Sequence, residues 1–570
     1  MQPVMRCRGI ARAALVLPLL TAAVPLLAAS LDVAWRRDDV TTVTQLRQGE
    51  SAPRPFDGGR AVPLGSLWKL FVYVYAVDTG TPMPDYRCGG RDPEEVYCCD
   101  AGQTIARDAA LAQSCGPFFS PQRLRIAVAP WRKYWTDRLA QPPAGEFAWL
   151  ADPARMEPGR LVRLDSLLQA LGSVPATSRA QAESALLRVV LDGRGADTVR
   201  WFGSQLRVKT FSWHETPQRA PVAQRLGGAA GWLADGTPVW FAGQGASSGI
   251  LHQWAPQLAA ALPPAQPEDS GCVMVDFFTR YPVRSVRDAS GANASGALNG
   301  RYVVRFDNDN TLALRSMGDM TVERGADGRP QVRGRFGVNE YVARVVDREG
   351  SAREPEAAKA LAIAARTYLQ QNARLVAGCQ RIADSSATQR VSPNRASAEA
   401  LAIARWTDQL IVDGVTVRYH GTASSPGTLA WAQAVAQSRQ GRRFDEVLAH
   451  AYPGGALAVA GNSGARCERL AANEAWLARA LPRWRRLLIT QDGYEAPATM
   501  PVVCALATGM PYSEQSRNRI YMRPLSSRED RITLAHEYLH IGLRQHPRGQ
   551  DEDYVEQLAR RLVDMNLETL

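Results

Sequence analysis

The sequence predicts a multidomain α+β protein, and three observations carry that prediction. The chain has 570 residues, which at the usual domain size makes about three to five domains. Segments 229–242 and 272–340 alternate apolar and polar residues around turn signals such as Asp235-Gly236 and Asp307-Asn308-Asp309-Asn310, the pattern of antiparallel strands. Segments 70–77, 356–368 and 531–543 instead space their apolar residues at helical intervals.

The N-terminus reads as an export signal. Arg6, Arg8 and Arg12 precede an apolar run, 13–29, that ends in the small residues Ala28, Ala29 and Ser30. Basic start, short apolar run and small-residue end make a cleaved secretory signal over 1–30. The run is short for a membrane span. The expected location is the periplasm. Of nine cysteines, Cys7 leaves with the signal. An even number then remains in an oxidising compartment, which predicts disulfides. Cys88, Cys98, Cys99 and Cys115 cluster and predict two local bridges. Cys467 is expected to pair with Cys504, leaving Cys272 for Cys379.

The formal net charge is +11. It fits attraction to an anionic envelope polymer or membrane surface, or a basic surface of no special purpose. No zinc-finger, helix-turn-helix or RNA-binding pattern is present, so nucleic acid is not an expected partner. Lys and Arg total 67, yet the only lysines are Lys69, Lys133, Lys209 and Lys359. Arg keeps its proton where Lys can lose it on desolvation, so a retained Lys marks candidate chemistry. Two of these lysines fall in motifs.

In the first region, 31–265, Ser66-Leu67-Trp68-Lys69 opens the apolar helical run. Three residues apart on a helix, Ser66 and Lys69 share a face, and a desolvated Lys can take the Ser proton. Further on come Gln113-Ser114-Cys115-Gly116, then Val208-Lys209-Thr210-Phe211, then the 229–242 hairpin. This order resembles the penicillin-binding transpeptidase and serine β-lactamase fold, an antiparallel sheet with helices. The resemblance implies Ser66 as nucleophile, Lys69 as its base, Ser114 as proton relay, and Lys209 and Thr210 as the hold on a substrate carboxylate. Gly116 stands where that family has Asn, and Phe211 where it has Gly. Either a working acylation site or a fold without turnover follows.

In the second region, 266–460, strands lead into Glu340-Tyr341-Val342-Ala343-Arg344-Val345-Val346-Asp347-Arg348-Glu349. The helix Ala360-Leu361-Ala362-Ile363-Ala364-Ala365-Arg366-Thr367-Tyr368 follows, and Tyr452-Pro453-Gly454 closes the region. These segments resemble the stage II sporulation protein D family of peptidoglycan lytic transglycosylases, an α+β domain. The resemblance places Glu349 on the family's catalytic acid. A Glu of raised pKa protonates a glycosidic oxygen well, and attack by the sugar's own hydroxyl gives an anhydro product. The family's His/Cys metal-binding stretch is replaced by 384–389, which lacks both ligands, and its serine-rich strand end is met by Ala423-Ser424-Ser425.

In the third region, 461–570, a helical segment contains His536-Glu537-Tyr538-Leu539-His540. His at i and i+4 on one face grip a zinc ion, and the intervening Glu537 serves as general base. The expected domain is mostly helical and zincin-like. The expected third ligand is Glu552, on a second helix over 551–563 and seven residues before Ala559, as in small gluzincin-like peptidases. Glu556 and His546 are the alternatives. Taken together, the regions resemble a YfaQ-like family of secreted bacterial proteins whose members neighbour bacterial α2-macroglobulins, which implies such an envelope protein as a partner. The expected function is peptidoglycan-directed: glycan cleavage through Glu349 with a possible zinc hydrolase activity. The alternatives are a zinc metallopeptidase with wall-binding upstream domains, and a non-catalytic envelope scaffold.

Overall fold

In the computed structural model, the first region is built on a five-stranded antiparallel sheet. Its order is Val40–Arg47, Ser30–Arg37, Pro238–Gln244, Leu226–Leu233, Leu206–Trp213. The structure describes residues 29–567 except 51, 53, 93–94, 96–97, 188, 191–196, 214–224, 265–270, 326, 386–388, 421–426, 461–468, 507–510, 516–517, 545, 547 and 550. Residues 1–28 of the 1–30 signal segment, the Ala423-Ser424-Ser425 stretch and Cys467 therefore lie outside the described residues. Among those described, no helix is long and apolar enough to cross a membrane.

Helix α1 (Trp68–Thr79) runs through the middle of this region with every residue from Trp68 to Ala76 buried. An all-round apolar helix belongs in a core, and left-handed Gly80 ends it (φ 67°). Disulfides Cys88–Cys99 and Cys98–Cys115 tie down the segment that carries Ser114. Helix α2 (Ser247–Ala261) covers the sheet.

The second region is a seven-stranded sheet. Its order is Val283–Asp288, Gly296–Phe306, Thr311–Arg324, Pro330–Phe336, Val273–Phe277, Cys379–Ala383, Arg374–Val376. The turn at 307–310 falls where the sequence signals it. Cys272–Cys379 staples the parallel pair Val273–Phe277 and Cys379–Ala383. Against this sheet lie α3 (Val338–Glu349) and α4 (Pro355–Asn372). The Ala-Ala-Arg-Thr-Tyr motif of α4 is structural. Buried Arg366 donates to the carbonyls of Thr407, Leu410 and Ala404 and to Asn339 Oδ1, while Thr367 Oγ1 accepts the Val412 N–H at 2.9 Å. A buried guanidinium that satisfies its donors on carbonyls locks neighbouring elements in place.

The regions interlock. Val189–Val190 joins a sheet with Ala456–Val459 and Leu410–Asp413, and Arg200 pairs with buried Asp445 at 2.8 Å. The C-terminal region packs α5 (Ala471–Leu488), α6 (Arg528–Gly542) and α7 (Glu552–Leu567) with a three-stranded sheet of Val502–Ala505, Arg519–Met522 and Tyr512–Glu514. Tyr512 donates to Asp413 Oδ1 at 2.9 Å, and Gln370 to Glu514 Oε1 at 2.9 Å. The whole is a mixed α/β, multidomain protein.

Candidate functional site

Helix α6 starts at a capping box, with Ser527 and Asp530 each bonding the other's backbone N–H. Three turns on, His536 and His540 face α7, whose first residue is Glu552. The ligand atoms of His536, His540 and Glu552 all lie within 4.8 Å of one another. His540 Nε2 stands 3.0 Å from His536 Nε2, and Glu552 stands 2.9 Å from His536 Nε2 and 3.3 Å from His540 Nε2.

The opposite ring nitrogens face acceptors of their own. Nδ1 of His540 faces the Gly549 carbonyl at 3.2 Å, and Nδ1 of His536 faces Glu556 Oε2 at 3.1 Å. Carbonyl and carboxylate only accept, so each Nδ1 has an acceptor for a proton, an arrangement that leaves both Nε2 atoms for a metal ion. Burial pushes His540 down to about 3, with His536 the next cause, and lowers His536 as well. Two imidazole nitrogens and a carboxylate thus converge, an N,N,O donor set that suits zinc, with outer partners orienting the rings.

Glu537 lies fully inside, and burial pushes it up to about 8 against hydrogen bonding from Ser513 and the charge of Arg418. Arg418 comes from the second region, on the strand Arg418–His420. It pairs with Glu552 Oε1 and adds its charge beside both histidines. Nothing local marks it in a chain this rich in arginine, and sequence reasoning missed it.

Of the three candidates for a third ligand, Glu552 is the one that lies in the cluster with both histidines. Glu556 orients His536 rather than joining the triad. His546 is not part of the cluster: it stacks on Tyr554, with ring centroids 4.9 Å apart, and accepts the Arg548 N–H. A ten-residue spacing carries it past the turn that ends α6.

Glu349 is the last residue of α3, where the helix dipole disfavours a carboxylate. It is partly buried, and burial raises its pKa, opposed by an N–H from Arg390 at 2.9 Å and reinforced by the charge of Asp384. Asp384 is itself raised by burial. Two hindered carboxyls therefore share this place. Asp384, in the stretch that replaces the family's ligands, was not among the sequence candidates.

In the first region Ser66 sits on the 3-10 turn Gly65–Leu67 that leads into α1. Lys69 Nζ donates to the Ser114 carbonyl at 2.7 Å and to its Oγ at 3.3 Å, so the structure brings Lys69 and Ser114 together. Lys209, buried, donates back to the Thr210 carbonyl at 3.0 Å, and burial, then the charge of Lys69, lowers it to about 7. With Thr210 it lines a pocket of about 70 Å3, well below the size of a ligand site. Phe211 packs on Gly65: a Cβ there would lie 2.8 Å from the Phe211 Cβ.

The family described as "Predicted secreted protein (DUF2300)" matches residues 90–220 and 427–548, and "Stage II sporulation protein" matches 327–412. The latter match includes Glu349 and is shorter than the 266–460 expected. Among solved structures, the class D β-lactamase BAT-2 aligns at 9% identity and a TM-score of 0.27 over 41% of this chain and 93% of its own. The class D β-lactamase YbXI from Nostoc aligns at 13% and 0.25 over 41% and 94%. The "Uncharacterized protein YfaQ" of Escherichia coli (strain K12) is 44% identical over 504 residues, spanning 88% of this chain and 89% of its own. With that identity carried along nearly the whole of both chains, this chain belongs to the YfaQ family.

Proposed function

We propose that the protein is a secreted, peptidoglycan-directed hydrolase whose chemistry is done at His536, His540 and Glu552 with a bound zinc ion. The observation that carries this reading is the convergence of two Nε2 atoms and a carboxylate, with an acceptor facing each Nδ1. Zinc held by two histidines and a glutamate supplies a Lewis acid for splitting an amide or peptide bond. The chain's own groups do the rest. Glu537 takes and returns the proton. Arg418 holds negative charge beside the site. Gly549 and Glu556 keep the rings aimed. The likeness to stage II sporulation protein D, with the match over 327–412, supports the cell wall as target.

The test is release of soluble fragments from purified sacculi. We expect release that a chelator abolishes and that Glu537→Gln loses while retaining zinc. Wild-type protein that carries no zinc under metal-retaining conditions overturns the reading.

A second reading has its own support, the raised pKa of Glu349 beside Asp384. Glu349 would hold its proton, pass it to the glycosidic oxygen as the C–O bond breaks, and recover one from the attacking sugar hydroxyl. Anhydro products lost in Glu349→Gln support it. Sacculus binding without any product supports a scaffold instead.

A further inference from the structure

A separate cleft of about 750 Å3 opens at the other end of α3, lined by Phe336, Gly337, Glu340 and residues of the neighbouring strands and loop. Glu340 and Glu349 lie nine residues apart on one helix, about 13 Å along its axis, so this cleft is distinct from the Glu349 site.

Its charge is unbalanced. Three exposed arginines, Arg315, Arg335 and Arg395, line it. Among the described residues none of them has a carboxylate partner. Arg335 Nε meets only the Cys272 sulfur at 3.2 Å, and Arg395 the Met317 sulfur at 3.4 Å, both weak acceptors. The cleft's two carboxylates are already engaged. Buried Arg344 takes Glu340 at 2.8 Å and Asp319 from behind, and stacks on Phe336 at 3.9 Å. What faces the opening is positive, with the exposed apolar side chain of Met317 beside it and buried Phe336 at its base. The volume suits a ligand of a few residues or sugar rings.

We propose that this cleft binds a carboxylate-bearing segment of the cell wall, the peptide stem with its free carboxyl groups, and so holds the polymer on the protein. Guanidinium groups pair bidentately with carboxylates, and the Met317 side chain takes an alanine methyl or a sugar face. The choice of carboxylate over phosphate rests on the peptidoglycan-directed reading given above.

The experiment is titration of the full mature protein with a soluble disaccharide-tetrapeptide, its carboxyl-amidated counterpart, and vesicles rich in anionic phospholipid. We expect binding of the first that weakens as salt rises, no binding of the second, and at least a roughly tenfold loss in Arg315→Gln/Arg395→Gln. Equal binding by that variant, equal binding of the amidated form, or binding of the vesicles alone overturns the proposal. Zinc content and chelator-sensitive release, read on the same variant, report the metal reading separately. Intact zinc chemistry with no muropeptide binding sinks only the cleft assignment.

Discussion

Nδ1 of His536 lies 3.1 Å from Oε2 of Glu556, one turn along α7 from Glu552. The same helix thus supplies Glu552 to the proposed zinc triad and the carboxylate that faces the other nitrogen of His536. Glu556→Gln keeps a hydrogen-bond acceptor but loses the charge that makes the ring more basic. Zinc affinity is expected to fall about ten- to hundredfold, measured by competition with a chromophoric chelator. An unchanged affinity would remove Glu556 from the site.

Metal content of the purified mature protein is the direct check on the triad. About one zinc per chain is expected, lost in both His536→Ala and Glu552→Ala. His546→Ala is expected to keep it, because His546 stands outside the cluster against Tyr554.

Arg418 pairs with Glu552 and sets a positive charge beside both histidines, so zinc must compete with a guanidinium. Arg418→Ala is expected to bind zinc roughly two- to fivefold more tightly, the range for a partly exposed charge pair, and to release sacculus fragments more slowly. Weaker zinc binding would mean that Arg418 supports the site instead of opposing the ion.

Burial raises Glu537 to about 8 from an ordinary 4.5. A raised carboxyl binds its proton more tightly folded than unfolded, so its stabilising contribution is full below about 4.5 and is lost as pH climbs toward about 8. Glu537→Gln cannot ionise. In chelator, thermal unfolding is expected to show the variant more stable than wild type above pH ~8, with the difference vanishing by pH ~5. A constant difference across that window would contradict the assignment.

In the first region the Phe211 side chain packs against the Gly65 turn beside Ser66, and Lys209 bonds to its own strand. Fluorescent penicillin is expected to leave the wild type unlabelled. Labelling that disappears in Ser66→Ala would show a working acylation site.

Local signals were legible. The helix with His536 and His540 on one face, the Asp235-Gly236 hairpin and the local bridges among Cys88, Cys98, Cys99 and Cys115 are all readable from spacing and appear in the structure. Spacing works there because a helix, a tight turn or a short loop closes within a few residues. The pairing of Val189–Val190 with Ala456–Val459 has no such signal, since two-residue strands carry no period.

By itself, then, the sequence determined which side chains are candidates for chemistry: a histidine pair one turn apart, a carboxyl between them, and Glu349 at the end of an apolar helix. Only the tertiary structure decided their company. The crossing of α6 and α7 set Glu552, and neither Glu556 nor His546, in the cluster with both histidines. The docking of the second region delivered Arg418 from more than a hundred residues upstream of those ligands. The packing of one sheet strand against α1's entry turn put Phe211 beside Ser66. Periodicity specifies which face a residue occupies on its own element, whereas the meeting of two faces depends on how whole elements bury their apolar surface against each other.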